Sequence, residues 1–200
     1  MTRRDFITLL GSAAAAWPLP AWAQQPALPV IGVFHAGAFE PRAHLVAVFR
    51  QTLSEAGYVD GRNVSIEYRW AQDQFDRLPE LAADLVYRRV AVIITPGSTE
   101  AALAAKAATD TIPIVFSVGA DPVRLGLVGS LNRPGGNATG MSYFSQELGP
   151  KRLGLLSELM PGRDIVVLVT PKSPIADAAI KDMQEAAAVA GQQISAARQQ

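Results

Sequence analysis

Residues 90–116 read VAVIITPGSTEAALAAKAATDTIPIVF, and this stretch decides the fold. It begins with a short apolar run at 90–94, continues through an alanine-rich helical segment at 98–109, and ends in a second apolar run at 112–116. Two short apolar runs separated by a helix are typical of buried parallel strands joined by a crossover helix. The stretch therefore predicts one strand–helix–strand unit of an α/β protein.

The same alternation continues upstream. Strands are expected at 30–34 and 63–68, and amphipathic helices follow them at 42–56 and about 75–86. Strand–helix alternation at this spacing predicts an open parallel sheet with helices on both faces.

Downstream, residues 117–145 are rich in Gly, Pro, Asn and Ser and interrupt the pattern. The alternation then resumes with a helix at about 148–159, and a second α/β unit follows from residue 163, with a strand at 165–169, a helix at about 175–190 and the start of a strand at 192–197. One strand, one helix and a stub are too few to cover both faces of an open sheet. The second α/β unit is therefore expected to be incomplete.

The first 23 residues have the layout of an export signal. An arginine pair at 3–4 precedes an apolar stretch at 8–16, and the small–x–small pattern Ala21-Trp22-Ala23 predicts cleavage after Ala23. The arginine pair and the Phe-Ile that follows it resemble a twin-arginine signal. A membrane anchor is the alternative, but the apolar run is shorter than the roughly 20 residues of a span and ends at Pro18 and Pro20.

These patterns define the expected organisation of the chain. We expect a signal peptide at 1–23, an N-terminal α/β lobe at 29–142, a crossing helix at 143–162 and the start of a second lobe at 163–200. The chain has no cysteine, so lipid attachment at an N-terminal cysteine is excluded. The sequence thus predicts a periplasmic protein that is not inserted in the membrane after signal cleavage.

Composition and motifs argue against several other classes. Eighteen basic and 18 acidic residues give a formal charge of zero without any basic block, so we expect no nucleic-acid partner. No cysteine and only two histidines leave no obvious metal site, and no glycine-rich nucleotide motif or Gly-x-Ser-x-Gly elbow occurs. The sequence therefore predicts no catalytic residues, no cofactor and no metal.

Loops at the carboxyl ends of the predicted strands are where open α/β sheets bind ligands. The most informative is Gly97-Ser98-Thr99, because backbone N–H groups and two hydroxyls at a helix start can hold a carboxylate or another small anion. The alternative is that Ser98 simply caps the helix, and both roles can hold together. Asp121 before Pro122 is interpreted as a structural N-cap. His35 can face a ligand, whereas His44 is expected to face solvent.

Several motifs together resemble a known family. They are Arg3-Arg4-Asp5-Phe6-Ile7, Gly57-Tyr58-Val59-Asp60-Gly61-Arg62-Asn63-Val64, Ile66-Glu67-Tyr68-Arg69-Trp70-Ala71, residues 77–86, Ile112-Pro113-Ile114-Val115-Phe116, Asp121-Pro122-Val123 and most of residues 126–140. With these stretches the chain resembles the ABC transporter substrate-binding proteins of the tryptophan/tyrosine-binding type, a branch of the type I periplasmic binding fold. The run Pro134-Gly135-Gly136-Asn137-x-Thr139-Gly140 is the most specific part of the match.

The resemblance implies a two-lobed protein that closes on a small ligand and delivers it to a membrane permease. The implied function is the periplasmic solute-binding component of an ABC importer, and the implied ligand is a small molecule such as an amino acid or another carboxylate. By position, it implies ligand contacts from His35, Ala36, Gly37, Gly97, Ser98, Thr99, Ser117, Val118, Gly119 and Asp121, with Ser142 near the crossing between lobes. Members of the family carry a complete second lobe, so we expect this chain to be C-terminally truncated.

Two other functions are compatible with the same architecture, because a fold alone does not determine function. An exported enzyme would need a nucleophile–base pair in the cleft, and the sequence offers none. A ligand-sensing module would be expected to keep an attached signalling segment, and the sequence contains none.

Overall fold

The computed structural model describes residues 28–145, 148–160, 165–169, 176–189 and 194–198. The predicted signal peptide and its cleavage site lie outside these residues. The strands are β1 (Val30–His35), β2 (Ser65–Trp70), β3 (Val92–Pro96), β4 (Ile114–Val118), β5 (Ala138–Ser142), β6 (Ile165–Val169) and β7 (Ile194–Arg198). The helices are α1 (Ala43–Glu55), α2 (Leu78–Tyr87), α3 (Thr99–Ala108), α4 (Gly149–Leu159) and α5 (Ala176–Val189). Single 3₁₀ turns, Glu40–Arg42 and Phe75–Arg77, precede α1 and α2.

The first five strands form one parallel sheet in the order β2-β1-β3-β4-β5. Val33 of β1 lies between Tyr68 of β2 and Ile94 of β3 in this register. The chain leaves β1 toward β2 on one side and later returns to β3 on the other side. The strand order therefore reverses between β1 and β3, which opens a crevice at the carboxyl ends of these two strands. The predicted fold class, an open parallel sheet with helices on both faces, is confirmed.

The two faces of this sheet are covered unequally. On one face α2 and α3 pack against the strands in the main core, where Phe34, Leu85 and Ile93 are completely buried. On the other face α1 packs through Phe49 and Leu53. No residue of α1 is buried, and the other members of its predicted apolar stripe include Leu45 and Val48, which are 57% and 60% exposed. Sequence periodicity thus identifies the helix but overstates how much of it is covered.

Strand β5 was not expected, because residues 117–145 contain no apolar run. It pairs with β4 in parallel, with Gly140 opposite Phe116. A side chain at position 140 would overlap the carbonyl oxygen of Phe116, so only glycine permits this pairing. The Asn137 amide donates to the carbonyl oxygens of Thr109 (3.1 Å) and Ile112 (2.8 Å), which fixes the start of the strand. The most specific motif of the sequence therefore builds an edge of the sheet.

Asp121 caps a turn and not a helix. Its Oδ1 accepts from the backbone N–H of Val123 (2.8 Å), and the Leu125 N–H donates to the Asp121 carbonyl (3.0 Å). A single turn follows and ends at Gly126, whose φ of +71° suits glycine. Asp121 therefore has a structural role, as predicted, but the helix that an N-cap would begin is absent from this segment.

The second α/β unit has the predicted elements. Strand β6 matches the expected bounds at 165–169 and pairs with β7 in a separate two-stranded parallel sheet. Helices α4 and α5 pack together through Leu153 and Ala187. Among the described residues, none of the helices combines the length and apolar composition that crossing a membrane requires.

Candidate ligand-binding site

Hydrogen bonds join the loops at the carboxyl ends of all five strands of the main sheet. We call this set the carboxyl-edge belt. Its members, from β2 to β5, are Ala71 N–H to the His35 carbonyl (3.0 Å), Ala36 N–H to Ser98 Oγ (3.1 Å), Gly97 N–H to Ser117 Oγ (2.8 Å) and Ser142 Oγ to the Ala120 carbonyl (2.8 Å). The belt brings together the loops that the sequence predicted as one site.

Ser98 holds two of these loops together. Its side chain is almost completely buried, and its Oγ accepts from the N–H groups of Ala101 (3.4 Å) and Ala36 (3.1 Å). The predicted capping role is therefore confirmed. Because both lone pairs of the hydroxyl oxygen are occupied, only its own proton remains for a ligand. The neighbouring hydroxyl of Thr99 makes no hydrogen bond within the described part of the chain.

His35 ends β1 as a neutral side chain. It is 5% exposed, and its Nδ1 accepts from the Gly37 N–H (2.8 Å). Burial, and secondarily the positive charge of Arg42, lowers the pKa of His35 from 6.5 to about 4. Since Nδ1 is an acceptor, the single proton of the neutral ring lies on Nε2 and is available as a donor. The imidazole also lies against the Trp70 indole, with ring centroids 5.4 Å apart.

A cavity of about 240 Å³ opens beside these groups, between α1 and the sheet. Val33 and Ile94 of the sheet form its floor, and Val46 and Phe49 of α1 form a wall. Its rim, which we define as His35, Arg42, Trp70 and Gly97, lies at the crevice between β1 and β3. The cavity is thus apolar inside and polar at its mouth, as small-molecule sites commonly are.

Arg42 reaches this rim from the 3₁₀ turn before α1. Its Nη1 donates to the Ala38 carbonyl (3.1 Å), and a Cβ placed on Gly37 would lie 2.7 Å from the same nitrogen. Phe39 from the same loop contacts the edge of Trp70, with centroids 5.7 Å apart. The sequence alone does not identify Arg42 or Phe39 as site residues. The sequence pattern predicts a helix from residue 42 onward. That the Arg42 side chain turns back toward Ala38 depends on the 3₁₀ turn Glu40–Arg42, which the pattern does not predict.

The other predicted site residues have mixed positions. Val118 is completely buried in the main core, so its side chain is unavailable to a ligand. The Gly119 carbonyl accepts from Ser145 Oγ (3.3 Å), and Asp121 is engaged in its turn. His44 is exposed on α1, as expected. Within the described ranges, no three His, Cys, Asp or Glu side chains lie close enough together to hold a metal ion.

The strand order and the crevice define this chain as a protein of the type I periplasmic binding fold. The model of the ABC transporter substrate binding protein family matches residues 38–198, and the chain belongs to this family. The resemblance that the sequence motifs indicated is confirmed.

Individual relatives agree with this assignment. A tyrosine-binding protein of Clostridioides difficile (strain R20291) is 39% identical over 114 residues, which cover 56% of this chain and 32% of that protein. A conserved domain protein from Vibrio cholerae has a TM-score of 0.72 at 28% identity, over 86% of this chain and 57% of that one. An ABC domain in complex with L-Trp from Streptococcus pneumoniae shares the fold, with a TM-score of 0.68 at 21% identity over 86% of this chain and 58% of that one. The chain therefore spans between about a third and just over half the length of these relatives.

Proposed function

We propose that this chain is the solute-binding component of an ABC importer and captures a small carboxylate, such as an amino acid, at the carboxyl-edge belt. The observation that carries the proposal is the crevice between β1 and β3, where the belt, the apolar cavity and the start of α3 meet. Membership of a substrate-binding family supports a binding function without covalent chemistry. The tyrosine-binding relative and the structural neighbour in complex with L-Trp support an amino acid as the ligand.

The start of α3 is the proposed place for the carboxylate. The positive end of a helix dipole and its unpaired N–H groups favour an anion. Thr99 can add a hydroxyl hydrogen bond, whereas Ser98 supports the loop. Closure of a second lobe over the ligand would then be a hinge motion that ligand binding favours.

Export completes the proposed role. The N-terminal residues 1–23 would direct the protein to the periplasm by the twin-arginine route and be removed after Ala23. The bound solute would then pass to a membrane permease, the proposed protein partner. The segments at 29–142, 143–162 and 163–200 are proposed as first lobe, crossing helix and second lobe.

A thermal-shift screen of the 200-residue chain tests the proposal. The panel contains the 20 amino acids and a set of small organic acids. A ligand present at about 100 times its Kd stabilises the folded state by about 2.7 kcal/mol. For a chain of this size, such a stabilisation raises the Tm by roughly 5–10 °C. One ligand class should produce this shift, and a panel in which no compound raises the Tm would refute the proposed binding function.

A hydroxyl deletion tests the place of the carboxylate. Thr99→Val keeps the shape of the side chain and leaves the Ser98 cap intact. The loss of a hydrogen bond to a charged group should weaken carboxylate binding about 10-fold or more. Thr139→Val, on an exposed position of β5, is the matched control and should bind as the wild type does. Equal affinities of the two variants would remove the start of α3 from the site.

A further inference from the structure

Arg42 places an uncompensated charge on an apolar cavity. Among the residues that the structure describes, it is the only ionised side chain on the cavity wall. No carboxylate in the described part of the chain lies within ion-pair distance of its guanidinium. By contrast, Arg69 on the edge strand donates to Asp84 (2.7 Å) and Glu67 (2.8 Å), and Arg50 pairs with Asp60 (3.0 Å).

The guanidinium is held in a defined orientation. One of its five N–H donors bonds the Ala38 carbonyl, and the group lies directly over Gly37. The remaining donors are left for another acceptor at the mouth of the cavity. A planar fork fixed in this way can bind a carboxylate through two parallel hydrogen bonds.

A purely structural role explains less of this arrangement. Tying a single carbonyl requires only one neutral donor, whereas the guanidinium carries further N–H donors that no group in the described part of the chain accepts. The positive charge also disfavours protonation of His35, so the rim holds one cation beside one neutral donor. Both groups donate, and neither offers a lone pair to a ligand. A ligand group that accepts several hydrogen bonds and carries negative charge matches this rim.

We infer that Arg42 is the residue of this chain that recognises the negative charge of the ligand, and that the ligand is a carboxylate whose apolar body enters the cavity beneath α1. This inference rests on the proposed binding function and adds to it the specificity-determining residue and the place of the ligand's apolar body. Arg42 and Gly97 line the same cavity, so one carboxylate can lie between the guanidinium and the start of α3. The cavity is smaller than the roughly 300–1,000 Å³ of complete ligand pockets, which fits a site that takes one side chain of a small molecule.

The experiment compares each acid with an amine that lacks only the carboxylate. The probes are L-tyrosine with tyramine and L-tryptophan with tryptamine, measured by calorimetry on the 200-residue chain. Arg42→Met removes the charge and keeps an apolar stem, and Arg42→Lys keeps the charge but loses the fork. Arg77→Met is the matched control, because Arg77 also ends a 3₁₀ turn at a helix start but is exposed and does not line the cavity.

The expected result is a selective loss. Arg42→Met should weaken binding of the preferred amino acid by about 10- to 100-fold, the usual effect of a lost hydrogen bond to a charged group. Binding of the amine should be unchanged, so that the preference for acid over amine disappears. Arg42→Lys should recover part of the affinity, and Arg77→Met should match the wild type.

Three results would overturn the inference, and they differ from one another. If the Arg42 variants bind the amino acid as the wild type does, the charge is recognised elsewhere and the proposed function stands. Equal losses for acid and amine would show that Arg42 only supports the loop. If the wild type binds no member of the amino-acid and organic-acid panel, the proposed function itself fails. Should Arg42→Met not fold, Arg42→Lys alone decides, because a lost fork must still reduce the preference for the acid.

Discussion

Protonation of His35 should destabilise the folded protein in mildly acidic solution. An unfolded chain protonates this imidazole below its ordinary pKa of 6.5, whereas the folded chain resists protonation until about 4. Between these values the unfolded state binds more protons, so the free energy of unfolding falls as the pH decreases from about 6.5 to about 4. Above that window the contribution of His35 is complete, and below it no more is lost.

The two pKa values set the size of the effect. One pKa unit corresponds to about 1.4 kcal/mol, so the lowered pKa of His35 can remove up to about 3 kcal/mol of stability by about pH 4. About 2 kcal/mol of this should already be lost between about pH 7 and pH 5. That loss is large beside the 5–15 kcal/mol that typically separates folded from unfolded domains.

His35→Asn isolates the contribution of His35. The asparagine Oδ1 can accept a hydrogen bond from the Gly37 N–H, as Nδ1 of His35 does, and the asparagine side chain does not titrate. Urea unfolding of both proteins, followed by far-UV circular dichroism at about pH 7 and pH 5, gives the four free energies. The wild type should lose about 2 kcal/mol more than His35→Asn over this interval. His44→Asn, at the exposed second histidine, should behave as the wild type does.

One outcome would refute this reasoning. If the wild type and His35→Asn lose the same stability between the two pH values, His35 titrates alike in the folded and unfolded chains. The burial of the imidazole and its position beside Arg42 would then have no energetic effect, and the account of the rim as a neutral donor beside a cation would fail with it.

Three further substitutions test the packing and the buried polar groups. Gly140→Ala should destabilise the protein by at least about 2 kcal/mol, because the methyl group would overlap the Phe116 carbonyl. The control is Gly154→Ala in α4, where a Cβ meets nothing within 4 Å, and it should stabilise the protein by about 0.5–1 kcal/mol. Similar urea midpoints for Gly140→Ala and Gly154→Ala would contradict the β5 pairing. Thr95→Val should raise stability by about 1 kcal/mol, since the buried Thr95 hydroxyl has no hydrogen-bond partner among the described residues. A lower Tm of Thr95→Val would show that the hydroxyl has a partner.

The sequence predicts the sheet well wherever a strand is apolar on both faces. The run at 165–169 coincides with β6, and β3 and β4 lie within two residues of the expected bounds. Strand β5 escapes this reasoning because Ala138–Ser142 has no apolar run. Its place is determined by the close approach of Gly140 to β4, which is a tertiary contact that local periodicity does not encode.

The sequence predicts which loops form the site, but it does not predict which of their side chains face the cavity. Parallel strands place their carboxyl ends at one edge, so the grouping of the loops near His35, Gly97 and Ser117 follows from the fold class. Which of the two hydroxyls holds the loops together does not follow, because Ser98 and Thr99 are adjacent and both polar. The contribution of Arg42 depends on a single 3₁₀ turn that reverses its side chain over Gly37.

The side chains that hold the loops together, in the carboxyl-edge belt, differ from the side chains at the rim of the cavity that are proposed to contact the ligand. The belt uses backbone groups with the hydroxyls of Ser98, Ser117 and Ser142, whereas the polar groups of Arg42 and Trp70 take no part in it. A protein engineer could therefore randomise Arg42 and Trp70 to obtain sensors for new metabolites without changing the hydrogen bonds of the carboxyl-edge belt. Because the belt already holds the loops in place, ligand binding to such variants would cost little free energy for ordering the loops. Most variants in such a library should therefore still fold.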